Sequence, residues 1–414
     1  MNYLVKNTTI IDPTSPHHLQ VMDILVVDGI IKSIAAEIVS NDAKVIEGNA
    51  LYTSIGLCDI GVQGGDPGYE SKEDMNSLTL AALNGGYTQL AVFPTLNPYT
   101  QTKSDVFYLT NHEHRNGVNI IAIGALSQHG EGKEIAEYLD LHESGCNLFS
   151  DGLNAIENHR LLQRAMSYVT QFDGTILLHP TDRQLAVGGQ MHEGEMSTKL
   201  GMTGIPSLAE LVPLFRDLEL REYNDCNLVV HCVATAGGLE LLARAKGKTQ
   251  KLFASCSYKN LFFRDEDLHD YDSNLKLKPV LRGEEDRVAL VEGLKNGIID
   301  FIVTNHHPID EEGKVLEFAY AKSGAIGLET CLPACIDELK NILPIDKIIE
   351  KLTINPRKIA GINIPTITEG TTAELCVFDT NQQWIYTHAH SKSKSKNTPF
   401  VGQRFMTKVV KVIC

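Results

Sequence analysis

Positive charge is scarce in this chain of 414 residues: 37 Lys and Arg stand against 52 Asp and Glu, a formal charge of −15. That deficit argues against nucleic acid phosphates or an anionic membrane surface as partners. Long apolar runs are also missing, since none reaches the roughly 18–20 residues needed to span a bilayer. The opening MNYLVKNTTIID has no basic start leading into an apolar stretch, so the expectation is a cytoplasmic protein without a secretory signal. Nine cysteines, an odd number at scattered spacing, read as reduced thiols rather than a disulfide framework. What is present is 43% hydrophobic and 21% charged, enough for a well-filled core and too apolar for wholesale disorder.

The two ends of the chain share a texture. Short β-type runs at 4–5, 10–11, 21–27, 30–34 and 44–47 alternate with turn signals such as Asp12-Pro13 and Asp28-Gly29. Runs at 375–379, 384–387 and 408–413 look the same, which predicts one small β-sandwich domain built from residues 1–53 and 362–414. Between them, apolar runs recur at 54–60, 87–93, 118–125, 146–150, 175–179, 227–231, 251–256 and 298–304. Continuous hydrophobicity over five to eight residues suits a parallel strand buried on both faces. Helix-compatible stretches, among them 74–84, 133–143, 156–168, 207–222, 284–296 and 326–339, separate or follow these runs. Eight such units make a (β/α)8 TIM barrel over residues 54–361, an α/β fold. A doubly wound open sheet is the competing topology, but no Gly-rich dinucleotide fingerprint follows the first strand. The segment Ser391-Lys-Ser-Lys-Ser-Lys396 reads as a solvated mobile loop.

In a barrel the reactive groups come from the C-terminal ends of the strands. Here those ends carry Gly61, Gln63, Asp66, Thr95, Asn97, Asp151, His179, His231, Lys259, Asn305, His306 and His307. Histidines ending two neighbouring strands suit zinc or general acid/base work; two packed, hydrogen-bonded histidines are the competing reading. The pairs His112/His114 and His388/His390 have metal-like spacing but read as solvated, and Cys331 and Cys335 as small buried side chains. Gly188, Gly189 and Gly194 read as shaping a loop, because no helix start with lysine follows to cradle phosphate.

The stretch His179-Pro-Thr-Asp182, the segments 185–194 and 200–206, His231 with Thr235-Ala-Gly237, Tyr271-Asp-Ser-Asn274 and Leu281-Arg282 resemble the dihydroorotase branch of the amidohydrolases. Gly327-Leu-Glu-Thr330, Asn355-Pro356 and Asn397-Thr-Pro-Phe400 extend the likeness over about residues 1–410. The resemblance implies an amidohydrolase-type barrel and assigns His179 and His231, with Asp151, to metal positions. It leaves Asn97 and His306 as candidates for substrate contact. Much else departs from the family: its His-x-His pair becomes Gly61 and Gln63, its carboxylate-clamping arginine Gly65, and its asparagine Thr95. The aspartate that serves as ligand and proton shuttle becomes Asn305, and a second substrate histidine becomes Ile309. An amide takes up no proton near neutral pH, so Asn305 is no general base.

These losses imply a dihydroorotase-like pseudoenzyme of pyrimidine biosynthesis with no cofactor, or at most one zinc. Similar family members lacking the metal histidines associate with aspartate carbamoyltransferase, which is the expected partner; a homodimer is the expected self-association. The alternative is an active zinc-dependent cyclic amide hydrolase with a reduced site at His179 and His231, and a third reading is a sensor of a pyrimidine precursor.

Overall fold

The computed structural model describes residues 1–112 and 115–414. Eight parallel strands form the barrel: Leu57–Val62, Tyr87–Val92, Asn119–Ala122 continuing as Gly124–Ala125, Leu148–Ser150, Thr175–Leu178, Asn227–Val230, Leu252–Ser257 and Phe301–Val303. The ring closes between the eighth strand and the first. There the Gln63 N–H donates to the His306 carbonyl at 2.9 Å, and the Thr304 N–H donates to Asp59 Oδ1 at 3.1 Å.

Side-chain alternation explains why each strand reads as a continuous apolar run. Ile60, Ala91, Leu148, Leu177, Val229 and Phe301 form one buried cluster that fills the lumen. Their neighbours Leu57, Leu90, Phe149, Ile176, Leu228 and Ile302 join a second cluster with the surrounding helices. A strand with two buried faces has no polar beat, which is the parallel-sheet signature.

The termini meet in one seven-stranded sheet. Its strands run in the order Lys408–Ile413, Leu375–Asp379, Leu51–Ile55, Tyr3–Ile11, Val21–Val27 and Ile30–Ala35, with Lys44–Ile46 also on Tyr3–Ile11. Leu375–Asp379 pairs antiparallel with Leu51–Ile55, so the chain's two ends share hydrogen bonds directly. Ser54 and Ile55, expected in the first barrel strand, belong to this sheet instead; Gly56 separates the two strands. Arg357 then ties sheet to barrel, fully buried, with Nη1 donating to the Gly56 carbonyl at 2.6 Å and Nη2 paired to Glu374.

Three further expectations change. Of 133–143 only Tyr138–Glu143 is helical, preceded by a short turn at Gln128–Gly130. Crossover helices Lys103–Thr110 and Ala236–Lys246 were not among the stretches singled out. Ser391–Lys396 is not a solvated loop: its three serines are buried and its lysines exposed. Ser393 Oγ and the Lys394 N–H both donate to the buried Glu73 carboxylate, and Ser395 Oγ donates to the Lys72 carbonyl at 2.7 Å. Apparent low complexity is an extended strap with one face docked. The lysines are merely its outward face.

Candidate active site at the barrel rim

The rim is assembled from strand ends, and it falls into two unlike halves. On one side, His179 follows the fifth strand and His231 the sixth, both buried. His179 Nδ1 bonds to the His231 carbonyl at 3.1 Å. A carbonyl only accepts, so Nδ1 carries the proton and Nε2 keeps its lone pair. Burial, and then the positive charge of Lys278, push His179 down to about 3, and burial alone takes His231 to about 3. Both imidazoles are therefore neutral at pH 7. His231 Nδ1 lies 3.3 Å from Ser255 Oγ, and its buried Nε2 has no partner among the described residues. Its ring stands edge-on to Phe93, with centroids 5.3 Å apart.

On the other side Gly61 and Gly65 leave no room for a side chain, while Gln63 and Thr95 line an open cavity. Gly61, at φ +94°, has no room for a side chain: an added Cβ would lie 2.6 Å from His231 Cε1 and 2.8 Å from Phe93 Cζ. Gly65 is tighter still, since a Cβ there would meet the Glu73 carbonyl oxygen at 2.0 Å. Gln63 and Thr95 satisfy each other, the Thr95 hydroxyl donating to Gln63 Oε1. Ile309 is buried and its N–H donates to Asn397 Oδ1 at 3.1 Å.

Asp151 does not join the two histidines. Its Oδ1 accepts from the Leu126 and Ser127 N–H groups, both at 2.9 Å, and its Oδ2 from Ser127 Oγ, so it braces the end of the third strand. Among the described residues, no group of three or more His, Cys, Asp or Glu is arranged to hold a metal ion. His306 does not reach the rim cavities. It is buried, its Nδ1 accepts from the Gly327 N–H at 3.1 Å, and its Nε2 faces Glu73 Oε2 at 3.6 Å. That ring supports the strap beneath the rim. Asn97 is exposed and does line a cavity of about 640 Å³, shared with Gln63, Thr95, His307 and Lys278.

Asn305, at φ +46°, turns its amide away from proton chemistry: Nδ2 donates to the Lys278 carbonyl at 2.9 Å. Lys259 is fully buried and donates to the carbonyls of Thr304, Asn305 and Ala325 at 2.8–3.0 Å, which pins the end of the eighth strand. Lys278 itself is a rim residue that the sequence reading passed over, between Tyr271–Asn274 and Leu281-Arg282. A lysine inside Leu275-Lys-Leu-Lys-Pro-Val-Leu281 was the available signal. Its ammonium makes no hydrogen bond or ion pair among the described residues, and burial, assisted by Arg183, pushes it down to about 8.

The smaller features resolve simply. His112 is not a solvated helix end; it lies against Asp66, 3.4 Å from Oδ2, and edge-on to Tyr108. His114 lies outside the described residues. His388 and His390 are exposed, with His390 edge-on to Trp384. Cys331 and Cys335 are buried with sulfurs 3.9 Å apart, and all nine cysteines are free. Gly188, at φ +69°, and Gly189, whose Cβ would meet Ile205 at 2.1 Å, shape the loop after the fifth strand.

Known proteins match this architecture along its length. Residues 53–237 match the family described as dihydro-orotase-like, and residues 219–414 the amidohydrolase family. The dihydroorotase of Acetivibrio thermocellus is 36% identical over 402 residues, covering 96% of this chain and 94% of that protein. That of Ruminiclostridium cellulolyticum is 36% identical over 405 residues, covering 97% and 94%. Among solved structures, the L-hydantoinase (dihydropyrimidinase) of Arthrobacter aurescens superposes with a TM-score of 0.84 at 22% identity, over 99% of this chain and 94% of that one. The dihydropyrimidinase of Brevibacillus agri gives 0.81 at 18% identity, over 100% and 93%. These two share the fold. No helix among the described residues is long and apolar enough to cross a membrane. With relatives above 30% identity along nearly its whole length, the chain belongs to the dihydroorotase family of amidohydrolases.

Proposed function

We propose that this chain is a non-hydrolytic dihydroorotase-fold protein of pyrimidine biosynthesis, acting as a structural or regulatory partner of aspartate carbamoyltransferase. The observation that carries the reading is the lack of side-chain room at Gly61 and Gly65, which sit against Phe93, His231 and the Glu73 backbone. A catalytic zinc takes three protein ligands and a water. Here two imidazole nitrogens are on offer, Asp151 is committed to Leu126 and Ser127, and Asn305 holds Lys278. Those residues do not fit the metal that the family's fold implies, and no group at the position of Asn305 can shuttle a proton.

The test is one purified sample assayed three ways. Turnover of dihydroorotate and of carbamoyl-aspartate should be undetectable with and without added zinc. Metal analysis should give below about 0.2 zinc per chain. Aspartate carbamoyltransferase should co-elute at a fixed ratio with a homodimer of this chain. Clear turnover, or a chain that never binds the carbamoyltransferase, would overturn the corresponding half of the proposal.

One observation favours the second reading, an active cyclic amide hydrolase with a single zinc. The His179 Nδ1 bond to a carbonyl is the arrangement that orients a histidine for metal through its other nitrogen. That reading requires stoichiometric zinc and activity abolished by His179→Ala or His231→Ala.

A further inference from the structure

The seven-stranded sheet of the terminal domain has two edges, and the chain treats them differently. At one edge, Ile30–Ala35 is covered by the chain's own return. The Ile31 N–H donates to the Thr371 carbonyl at 2.9 Å, the Gly370 N–H to the Ile31 carbonyl at 2.8 Å and the Ala373 N–H to the Gly29 carbonyl at 2.7 Å. At the other edge, Lys408–Ile413 pairs with Leu375–Asp379 alone, and among the described residues its backbone makes no hydrogen bond beyond that ladder. A strand paired on one side turns alternate N–H and C=O groups outward, a template for one more strand. This open edge borders a cavity of about 570 Å³, and the consecutive residues 409–413 all line it. Successive side chains of a strand point to opposite faces, so an unbroken run along one space means that the backbone edge itself faces it. Tyr3, Leu80 and Leu83 give the cavity apolar walls.

Charge decides what fits there. Lys392 and Lys411 line the cavity, and no Asp or Glu side chain does so among the described residues. Lys408 stands on the same strand, over the Trp384 ring at 5.9 Å, and Lys411 lies over the Tyr3 ring at 5.4 Å. None of these three ammonium groups forms an ion pair among the described residues. Burial, and then the charge of Glu374, raise the Cys414 thiol beside this space, but Glu374 is itself held by Arg357, Thr88 and Gln89. In a chain of net charge −15 the open edge is therefore a cationic strip. Two copies of it side by side set like charge against like charge, so the lysines act against self-pairing. A strand that carries carboxylates gains where a second copy loses.

We propose that the Lys408–Ile413 edge is a docking site for an extended acidic segment of a partner protein, added to the sheet as a further strand. Its main chain pairs with the open edge, its carboxylates meet Lys392 and Lys411, and its apolar side chains rest on Tyr3, Leu80 and Leu83. The surface belongs to the terminal sheet rather than to the rim, so it goes beyond the non-hydrolytic reading and does not depend on it.

The experiment is fluorescence anisotropy on the full-length protein at pH 7 and low salt, with a labelled peptide that alternates glutamate and valine. It should bind with Kd below about 1 mM. The same peptide with alternate backbone nitrogens methylated cannot donate to a strand and should bind at least about tenfold more weakly. A peptide alternating lysine and valine should not bind. Lys392 and Lys411 are exposed, so the Lys392→Glu, Lys411→Glu double variant should stay folded by circular dichroism. It should weaken the acidic peptide about tenfold. Hydrogen exchange locates the contact, and amides of residues 408–413 should slow when the peptide is added. No binding of the acidic peptide at about 5 mM, equal binding of its methylated form, or affinity unchanged in the folded double variant would each overturn the proposal. Protection of residues 408–413 that rises with the concentration of the protein alone would assign the edge to a second copy and overturn it as well.

Discussion

The two halves of the rim have the same scaffold and opposite contents. At the fifth and sixth strands the side chains are histidines oriented by backbone and hydroxyl partners, with His231 Nε2 unpartnered among the described residues. At the first and second strands there is a glycine under an aromatic ring and a glutamine paired to a threonine. The difference teaches that Gly61 and Gly65 are packed positions: neighbouring atoms occupy the space a side chain would need, so side chains cannot simply be introduced there.

Restoring the family pattern is therefore the largest available perturbation. Gly65→Arg places a Cβ 2.0 Å from a backbone oxygen that no rotamer change can move. The expected result is destabilisation by more than about 4 kcal/mol, seen as loss of soluble folded protein. Gly61→His meets the movable ring edges of His231 and Phe93 at a left-handed φ. Overpacking and backbone strain together should cost about 3 kcal/mol in urea unfolding, with no gain of dihydroorotate turnover. A Gly61→His, Gln63→His double variant of wild-type stability would break the comparison at its base.

Next in size is the strap. Glu73 is fully buried and accepts from Ser77 Oγ, Ser393 Oγ and the Lys394 N–H, with His306 close by. Glu73→Ala leaves those donors without an acceptor and should cost about 3 kcal/mol. Cleavage between residues 391 and 396 by trypsin should quicken, because the exposed lysines would no longer be held extended. Unchanged proteolysis would mean that the strap is held from elsewhere, for instance by the Lys392 N–H on Glu329.

The barrel wall was legible in the sequence for a physical reason. Burial on both faces makes each strand a continuous apolar run, and such runs are countable without knowing any partner. The strap was not, because Ser-Lys alternation looks like low complexity unless one knows that Glu73 and Glu329, more than sixty residues away in sequence, receive its buried face. Asp151 misled for the same reason. Its position at a strand end was right, but its acceptors are filled by Leu126 and Ser127 of the neighbouring strand end, and hydrogen-bond direction is invisible to spacing. Gly61 and Gly65 could be read as losses; that their space is closed required coordinates.

The retained histidines give a smaller, pH-dependent effect. With a folded pKa of about 3, His231 stays neutral in the folded chain, while the unfolded chain takes up a proton below about 6.5. Unfolding then binds a proton, so stability is fully present above that pH and is lost as pH falls toward 3. Between pH 7 and pH 5 this single group should account for about 2 kcal/mol. His231→Phe removes the term, so the loss on acidification should be smaller in the variant than in the parent by that amount. Comparing parent and variant cancels the opposing contribution of buried carboxylates such as Asp59, which burial raises to about 6. Parallel curves would show that His231 takes a proton while folded, and the retained half of the rim would then be wetter than its burial indicates.

The smallest expected effect on stability separates two lysines that sequence alone treats alike. Lys259 and Lys278 both stand near the rim, and burial lowers both, to about 7 and about 8. Lys259 spends its protons on three carbonyls, so its loss would strand those acceptors in the core. Lys278 has no acceptor to strand among the described residues. Lys278→Met should therefore leave the urea midpoint within about 0.5 kcal/mol of the parent, or raise it, because a poorly solvated charge is exchanged for a thioether of similar length. A loss above about 2 kcal/mol in Lys278→Met would assign it instead to holding the rim together.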